Sequence, residues 1–562
     1  TISDDGRFVA FASFATTLGK STTITAGSNV FVHDRDTDED GVYDESGATS
    51  VTLLSHSGTD ELMSGNGASG GTALGGQWQY RPVISGSGGV VAYVSGATNL
   101  LDPDDGVTVL PGQNLYVTTT VGARTTLVST DMTGTTSGIR VGGGVASIPS
   151  LSFDGRYVAF ESNYINLIAD DIEGESDIFV RDVTGAETTR VTESAEGKGG
   201  NLASREPVIS RNGRHVIFVS RATSLVAGGT NGAEDTLVGD VLAQRTSLIS
   251  VSRDPDSGSS TANAPSPSTS GPLGGGYDIS DNGRHVLFTS SATDLLDPAD
   301  GIADTNGALD VFFFDRDADS DGAFDEAAPG GTTTSLVSTN AAGTAASNSF
   351  FATGGSRAVS LSGDGRQAVF VSPGTDLIPG GTPGTGVYIR DLVAESTSLA
   401  GLTGLPFAVQ AGVAEVGVST SPLQVVFTSA ASDVDSTVTD DNVNIDAFRY
   451  TAPTDLRFRL ATADGNEQLV LAYTVENVPA DAPFEIGVYL SADGSFDAAE
   501  DDLLDTISVT GTGLDVGERK MAFDIGGGEG EVALPGAGAP EVDFDYQILF
   551  VVDHLNVQEE ID

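Results

Sequence analysis

Cysteine is absent from this chain of 562 residues, which excludes disulfide bonds, thiolate catalysis and zinc sites built from thiolates. Cationic side chains are scarce: 26 Lys and Arg stand against 79 Asp and Glu, for a formal net charge of −53. A nucleic-acid partner is not expected, because neutralising phosphates requires clustered cations. Membrane insertion is not expected either, because no apolar run approaches the length that spans a bilayer.

Lysine occurs only at positions 20, 198 and 520. An acidic surplus with so few lysines suits a salty or calcium-containing medium, where screening and bound cations relieve self-repulsion. The alternative is a soluble acidic protein from a genome of biased composition. The chain opens at Thr1 inside a repeat, so we expect this start to be a processing boundary rather than a translation start.

What the chain does contain is a repeated pattern of four short strand-like segments. The clearest copy spans residues 151–192, where Asp154-Gly155 is the dipeptide type that supplies positive φ at a hairpin tip. An aromatic-rich second strand and a third strand such as “DIFVRD” follow the turn. A seventh copy, near residues 417–451, has lost the turn glycine. The six copies that keep it have Gly6, Gly88, Gly155, Gly213, Gly283 and Gly365.

These repeats predict an all-β fold. One four-stranded unit cannot bury both faces of its sheet, so the copies must stack. The pattern predicts a seven-bladed β-propeller of four-stranded blades over residues 1–452. After it, six strand-like segments over residues 453–562 predict an Ig-like β-sandwich.

Two kinds of loop join the predicted strands. The loops between second and third strands are acidic, as in “NLLDPDDG”, and the loops that lead from one copy to the next are rich in Gly, Ser and Thr. Equivalent loops of a propeller emerge on the same face. We therefore expect the acidic set on one rim and the Gly/Ser set on the other.

The hairpin pattern S-x-D-G-R-x-h-A-F-x-S, followed by “DIFVRD” and “TTRVT”, resembles the PD40 class of WD40-like propellers, the class of the TolB propeller. The C-terminal segments “VYLSADGSFDAAEDDLL” and “GLDVGER” resemble CARDB-type sandwich modules of bacterial and archaeal surface proteins. These resemblances imply extracytoplasmic binding or scaffolding and transfer no active site. The matching hairpins are Ser3 to Ser13, Ser152 to Ser162, Ser210 to Ser220, Ser280 to Ser290 and Ser362 to Ser372.

The sharpest local signal is the pattern D-x-D-x-D-G-x-x-D-E, which occurs in loop A (residues 36–45) and in loop B (residues 317–326). Alternate carboxylates converge in a tight loop, Gly permits the turn, and the next residue offers a carbonyl, which together predict a Ca²⁺ site. The alternative is a solvated acidic hairpin tip. The loops lack the distant bidentate Glu of an EF-hand. The predicted ligands are Asp36, Asp38, Asp40, Val42, Asp44 and Glu45 in loop A, and Asp317, Asp319, Asp321, Ala323, Asp325 and Glu326 in loop B.

A weaker calcium candidate lies in the C-terminal segment, where an ordinary acidic turn is the alternative. It comprises Asp493, Asp497, Glu500 and Asp501.

An arginine follows the turn glycine in five copies, and a structural ion pair is the favoured interpretation over a ring of ligand-binding arginines. The five histidines show no metal-ligand spacing, and His215 and His285 occupy matching second-strand positions, where edge or packing roles are expected. The arginines are Arg7, Arg156, Arg214, Arg284 and Arg366, and the partners expected at the ends of third strands are Asp34, Asp182, Asp315 and Asp391.

No catalytic signature is present: the chain lacks the G-x-S-x-G elbow of a propeller-bearing serine peptidase, and its acid pairs are too numerous to single out a glycosidase pair. We predict a non-catalytic, calcium-stabilised scaffold that is secreted, exposed on the cell surface or periplasmic. It is expected to contact a protein partner or to self-assemble. The alternatives are a subunit of an extracellular filament or surface layer, and a glycan-cleaving propeller, for which the single tryptophan, Trp78, provides little sugar-stacking surface.

Overall fold

The computed structural model describes residues 1–400 with short gaps and, beyond residue 400, nine strands. The gaps are residues 19–23, 25–26, 72, 75–76, 79–80, 146–147, 170–173, 195–196, 227–229, 231, 257–259, 267–275, 303, 327–329, 349–358 and 382–385. Strands dominate the described residues, and the helices there are two short 3₁₀ turns, Pro103–Asp105 and Pro298–Asp300. None of these helices is long and apolar enough to cross a membrane.

Six antiparallel sheets follow one another along residues 1–399. Two short hairpins, β4–β5 and β6–β7, separate the first sheet from the second. Sheet 1 contains β1 (Phe8–Ser13), β2 (Asn29–Asp34) and β3 (Ser50–Leu53); the hairpins are β4 (His56–Ser57), β5 (Asp60–Ser64), β6 (Ala73–Leu74) and β7 (Gln77–Trp78); sheet 2 contains β8 (Val83–Ile84), β9 (Val90–Ser95), β10 (Asn114–Thr119) and β11 (Thr125–Leu127).

Sheet 3 has an additional segment, β12, which pairs with the end of β14 beyond β13. The remaining strands of the six sheets are β12 (Arg140–Val145), β13 (Ser150–Leu151), β14 (Tyr157–Tyr164), β15 (Asp177–Asp182) and β16 (Glu187–Arg190) in sheet 3; β17 (Ser204–Ile209), β18 (His215–Ser220), β19 (Asp235–Asp240) and β20 (Arg245–Leu248) in sheet 4; β21 (Tyr277–Ile279), β22 (His285–Ser290), β23 (Asp310–Asp315) and β24 (Thr333–Leu336) in sheet 5; and β25 (Val359–Leu361), β26 (Gln367–Ser372), β27 (Gly386–Asp391) and β28 (Ser396–Leu399) in sheet 6.

The predicted order of four antiparallel strands is confirmed in sheets 2 to 6. In sheet 1 the first strand is reduced to Ile2, which forms an isolated antiparallel bridge with Val9. The aromatic-rich second strand pairs with the third strand so that rings face each other across the ladder, as in Phe160 and Phe179 with ring centroids 5.8 Å apart. Such cross-strand aromatic pairs fix the register because a one-residue slip would move every side chain to the opposite face.

The core lies between neighbouring sheets. Ile217 and Val238 of sheet 4 belong to the same buried cluster as Tyr277, Phe288 and Phe312 of sheet 5. Both faces of each inner sheet are therefore covered, which is why second strands such as β18 carry near-continuous apolar residues rather than strict alternation.

Five of the six turn glycines are required by a neighbouring side chain as well as by their backbone conformation. Gly283 has φ +81°, and a Cβ placed there would lie 2.2 Å from Nδ1 of His215 in the preceding sheet. The residue two positions after the turn glycine thus packs on the turn of the next sheet, where no side chain fits. The five pairs are Phe8 with Gly88, Val90 with Gly155, Tyr157 with Gly213, His215 with Gly283 and His285 with Gly365.

Backbone hydrogen bonds join the first turn of each sheet to the first turn of the next sheet. A further contact brings the turn of sheet 4 back to the turn of sheet 1. Arg211, in the turn of sheet 4, contacts Asp4 in the turn of sheet 1 and lies 3.3 Å from Asp281 of sheet 5. The sheets are therefore arranged radially, which confirms the β-propeller class; seven blades remain a prediction. The N–H to O=C bonds run from Asp4 to Gly86, Ser87 to Phe153, Phe153 to Arg211, Asn212 to Asp281 and Asp281 to Gly363.

The expectation that acidic and Gly/Ser loops occupy opposite rims is wrong. Asn66, in the loop before sheet 2, donates from its Nδ2 to the Thr98 Oγ1 at 3.0 Å and accepts from the Thr98 N–H at 2.8 Å. Four antiparallel strands reverse direction three times, so the connection after the second strand and the connection before the first strand leave the same edge. The same two hydrogen bonds join Asn201 to Thr223, Asn263 to Thr293 and Asn348 to Thr375.

Beyond residue 400 the structure describes strands alone. The six segments predicted for the C-terminal region all form strands, in two three-stranded antiparallel sheets of order β32-β33-β36 and β35-β34-β37. The strands are β29 (Val416–Val418), β30 (Gln424–Ser429) and β31 (Asp446–Thr451) in a further three-stranded sheet, then β32 (Asp455–Asp464), β33 (Gln468–Glu476), β34 (Phe484–Ser491), β35 (Asp502–Val509), β36 (Gly517–Asp524) and β37 (Gln547–Val552).

The chain divides into two compact units, residues 1–417 with 428–446, and residues 418–427 with 447–562. The boundary predicted between residues 452 and 453, and the sandwich itself, remain predictions.

Candidate metal centres in two acidic loops

Loops A and B occupy the same position in two different sheets. Loop A joins β2 to β3 in sheet 1, and loop B joins β23 to β24 in sheet 5, so each connects a third strand to a fourth strand. In both, the last residue of the third strand is an aspartate whose Oδ1 accepts the N–H of the residue two positions on, at 3.1 Å for Asp34 and 3.0 Å for Asp315. Both loops therefore begin with the same hydrogen bond.

Three aspartates converge in each loop. Triad A is Asp36, Asp38 and Asp40, and triad B is Asp317, Asp319 and Asp321; within each triad one carboxylate oxygen per residue lies within 4.8 Å of the others. The first aspartate is buried and the other two are exposed. The spacing predicted from sequence is thus realised: alternate carboxylates share one side of the loop.

Backbone N–H groups hold the first aspartate of each triad. The N–H groups of Asp40 and Gly41 donate to Asp36 at 3.1 and 2.9 Å. Those of Asp321 and Gly322 donate to Asp317 at 3.0 and 3.2 Å. The glycine has φ +85° in loop A and +90° in loop B, a conformation that other residues rarely adopt.

The fourth aspartate of each pattern is held by an arginine. Arg35 donates from Nε and Nη2 to Oδ2 of Asp44 at 2.9 and 2.6 Å. Arg316 donates from Nε to Oδ1 and from Nη2 to Oδ2 of Asp325 at 2.8 and 2.5 Å. Asp44 and Asp325 are therefore placed in ion pairs and not among the three converging carboxylates.

Arg35 and Arg316 are the residues that the sequence analysis missed. Each also donates from Nη1 to a turn carbonyl of its own sheet, Gly6 O at 2.8 Å or Gly283 O at 2.6 Å, which ties the loop to the first hairpin. The available signal was the D-R-D sequence at residues 34–36 and 315–317, which is shared by both loops.

The remaining predicted ligands lie around the triads. The N–H groups of Val42 and Ala323 donate to Asp40 and Asp321 at 2.9 and 2.8 Å. Glu45 is exposed, and Glu326 is half-buried. The structure thus brings together three of six predicted ligands in each loop. The weaker candidate at Asp493, Asp497, Glu500 and Asp501 lies outside the described residues.

The electrostatics of loop A reflect crowded negative charge. Desolvation and the neighbouring Asp40 raise the pKa of Asp38. Asp40 is also the main cause that raises the pKa of Glu45. The Arg35 guanidinium, by contrast, lowers the pKa of Asp44. No arginine is among the causes that shift the pKa of Asp38 or Glu45. A cation bound to triad A would therefore relieve the repulsion between its carboxylates.

The donor set fits a hard divalent cation. Three carboxylates supply oxygen ligands and three negative charges, and Ca²⁺ takes six to eight oxygens in flexible geometry. Triads A and B contain no histidine, and the chain has no cysteine, so the ligands that favour zinc or copper are missing from them. The residues present would hold Ca²⁺ through the triad, with water completing its shell.

Loop B is also fixed to the neighbouring sheet. The ring of Phe324 lies 5.3 Å from the imidazole of His215 in sheet 4, and Arg245 of the same sheet donates to the Phe324 carbonyl at 2.9 Å. In loop A, the Tyr43 hydroxyl donates to the Asp5 carbonyl at 2.5 Å. Order in loop B is therefore coupled to the contact between sheets 4 and 5.

The recurring arginine forms the predicted structural ion pair in four sheets. Arg214 pairs with Asp240, a partner that the sequence analysis did not name. The recurring arginine also binds the acidic loops, since Arg7 donates to Glu39 at 3.0 Å and Arg284 donates to the Ser320 Oγ at 3.1 Å. The other pairs are Arg7 with Asp34, Arg156 with Asp182 and Arg284 with Asp315.

The packing role expected for the matching histidines is confirmed. His215 contacts Phe324, and the His285 ring lies 5.1 Å from that of Phe313. His554 lies outside the described residues.

No family model matches the chain, and no curated protein matches it. Among solved structures, an oligogalacturonate lyase from Vibrio parahaemolyticus aligns with 76% of this chain and 84% of its own, at 11% identity and a TM-score of 0.36. The RRP9 WD40 repeats align with 62% of this chain and 73% of theirs, at 11% identity and a TM-score of 0.27. Prolyl oligopeptidase B from Galerina marginata aligns with 74% and 54%, at 10% identity and a TM-score of 0.35. No activity, ligand or partner is transferred from them.

Proposed function

We propose that this β-propeller is a non-catalytic scaffold outside the cell, stabilised by calcium in loops A and B, that mediates protein–protein or surface-assembly contacts. The observation that carries the proposal is the repetition of one three-aspartate geometry at the same position of sheets 1 and 5. Calcium binding would hold each loop against its hairpin through the residues already described. The resemblance to PD40 repeats and a CARDB-like module supports an extracellular location.

A candidate contact surface lies along the edge that carries loops A and B. The hairpins between third and fourth strands of sheets 2, 4 and 6 present Val121, Leu242 and Val393, which are 81%, 75% and 65% exposed. The equivalent residue of sheet 3 is the exposed Thr184. Three apolar tips in equivalent positions form an array that a partner surface, including a second copy, could cover.

Sedimentation of the full chain in calcium and in chelator tests the assembly proposal. We expect species larger than the 57.3 kDa chain in calcium, and their loss when Val121, Leu242 and Val393 are all replaced by Asp. Thr184→Asp adds a charge at the matched position and should leave assembly intact. A chain that remains monomeric in calcium at every concentration would contradict self-assembly and leave a different protein as the partner to identify.

A second candidate function, glycan cleavage, is favoured by one observation in sheets 3 and 4. Glu206 lies at a bulge of β17 with φ +57°, and its N–H donates to Glu161 Oε2 at 3.3 Å. Burial, with Glu161 and Glu234 adding to it, raises the pKa of Glu206 to about 7. A carboxyl that stays protonated near neutral pH could serve as a general acid.

Hydrolysis assays on neutral and acidic polysaccharides distinguish the two functions. The scaffold proposal expects no reducing ends above background. Activity that disappears in Glu206→Gln and survives in the exposed control Glu187→Gln would establish the enzyme instead.

A further inference from the structure

A pair of buried aspartates lies in sheet 5, away from loops A and B. Asp304 belongs to the loop between β22 and β23, and Asp310 is the first residue of β23. Asp304 is 7% exposed and Asp310 is fully buried. Within the described part of the chain, both carboxylate oxygens of Asp304 and Oδ2 of Asp310 have no well-formed hydrogen bond, although the Asn306 N–H is close enough to lower the pKa of Asp304 and the Asn306 side chain that of Asp310.

The two carboxyl groups act on each other without a compensating cation. Burial and the neighbouring Asp310 raise the pKa of Asp304 to about 7. Burial also raises the pKa of Asp310. No arginine, lysine or histidine of the described residues is among the causes for either group. An ionised pair in this position is therefore unfavourable unless a cation or a proton joins it.

The same strand position is an aspartate in sheets 3 and 4, where its surroundings differ. Asp177 and Asp235 each accept a hydroxyl from the end of the fourth strand, Thr192 at 2.6 Å and Ser250 at 2.8 Å, just as Asp310 accepts Ser338 at 2.7 Å. This bond is thus a feature of the repeat.

The charge environment is what distinguishes sheet 5. In sheet 3 an arginine is close: Arg190 and Asp177 both lie 3.2 Å from the Cβ position of Gly199. In sheet 4 the buried Asp235 has no second carboxyl among the causes that shift its pKa. Sheet 5 adds a second buried carboxyl, Asp304, whose charge acts on the shared one.

We propose that Asp304 and Asp310 bind a calcium ion at a site separate from loops A and B. The Ser338 hydroxyl occupies Oδ1 of Asp310 and leaves Oδ2 for the ion. Asn306 accepts the Ala308 N–H at 2.8 Å on its Oδ1 and donates from Nδ2 to the Ser347 carbonyl at 2.9 Å, so its amide borders the site, and water would complete the shell of the ion. An all-oxygen donor set with two negative charges favours Ca²⁺ over softer metals. Thr305 and Gly307 on either side of Asn306 are exposed, so an ion reaches the loop from solvent.

The test is the number of calcium ions bound per full chain, measured by equilibrium dialysis and atomic emission at pH 7.5. Asp304→Asn removes one charge while keeping the side-chain shape, and we expect it to lower the count by one. Asp235→Asn changes the same kind of buried aspartate in sheet 4, and its count should equal that of the unmodified chain. Circular dichroism confirms that both variants fold. Because the measurement is a difference between variants, it does not depend on whether loops A and B bind calcium.

The competing outcome is a shared proton. If the pair holds a proton instead of calcium, Asp304→Asn leaves the count unchanged, and the infrared spectrum of the unmodified chain minus that of Asp304→Asn keeps a protonated-carboxyl band at pH 6 in saturating calcium; this result overturns the proposal. If calcium binds, that difference band is present at pH 6 without calcium and disappears when calcium is added. The difference removes the contribution of Glu206, which is protonated in both chains. Binding should then be weaker at pH 5 than at pH 8, because protons compete for the same oxygens.

Discussion

Arg316 and Asp325 form a bidentate ion pair beneath loop B, in which the arginine side chain is 1% exposed and the aspartate side chain 8%. The equivalent pair beneath loop A, Arg35 with Asp44, has side-chain exposures of 26% and 51%. The same arginine–aspartate pair is therefore buried beneath loop B and exposed to water beneath loop A. Comparing the two pairs measures how much burial adds to the contribution of the arginine to stability.

Arg316→Met should destabilise the chain more than Arg35→Met. Removing Arg316 leaves the buried Asp325 carboxylate with only Arg245, 3.7 Å away, as a cationic partner, which costs up to about 3–5 kcal/mol. Removing Arg35 exposes a carboxylate to water, and the loss should be about 1 kcal/mol or less. Urea unfolding measures both. Equal losses would contradict the assignment of burial as the deciding factor.

Calcium removal should lower the melting temperature if triads A and B bind the ion, because a ligand that binds only the folded state stabilises it. Asp36→Ala with Asp38→Ala should remove part of this sensitivity, and Asp317→Ala with Asp319→Ala should remove another part. The exposed acidic residues Asp104 and Asp300 provide a control double variant that should retain the full shift. Identical melting curves in calcium and in chelator would count against structural calcium.

Gly365→Ala should be more disruptive than Gly122→Ala. Both glycines have positive φ, +74° and +75°, so both variants carry the same backbone strain of about 1–2 kcal/mol. A Cβ at Gly365 would also lie 2.0 Å from Nδ1 of His285, whereas nothing lies within 4 Å of a Cβ at Gly122. The close contact should add about 1–3 kcal/mol. The difference in urea midpoints between the two variants isolates the packing between sheets 5 and 6.

The stability of the chain should fall as the pH rises from about 4.3 to about 7, because of Glu206. Its folded pKa of about 7 is above the unfolded value of about 4.3, so the folded state holds the proton more firmly across this interval. The contribution is fully present below the unfolded pKa and is lost as the pH passes the folded pKa.

In the unmodified chain, Glu206 should make the free energy of unfolding smaller at pH 8 than at pH 5. Glu206→Gln should reduce this difference between the two pH values. Glu187→Gln, at an exposed site, should change nothing. Chemical denaturation in chelator at both pH values makes the comparison, and a parallel pH dependence in both variants would refute the role of Glu206.

Much of the fold was predictable because it is encoded locally. The Asp-Gly, Asn-Gly and Ser-Gly turns and the alternation within each strand lie within a few residues of one another, so the four-stranded unit could be recognised from sequence alone. The rim assignment failed because loop composition was taken as a guide to position. Position follows from strand direction: Asn66 and Thr98 come from differently composed loops and meet at one edge.

The sequence by itself determined the repeated strands, the turn glycines, the Arg7–Asp34 type of ion pair and the triad spacing, because each depends on residues joined by one hairpin. Only the tertiary structure decided that Asp44 and Asp325 are held by arginines, that His215 packs on Gly283, and that Asp304 lies beside Asp310. Those relationships depend on burial and on which charges meet in space. Such properties arise from the packing of the folded chain, and composition and periodicity do not record them.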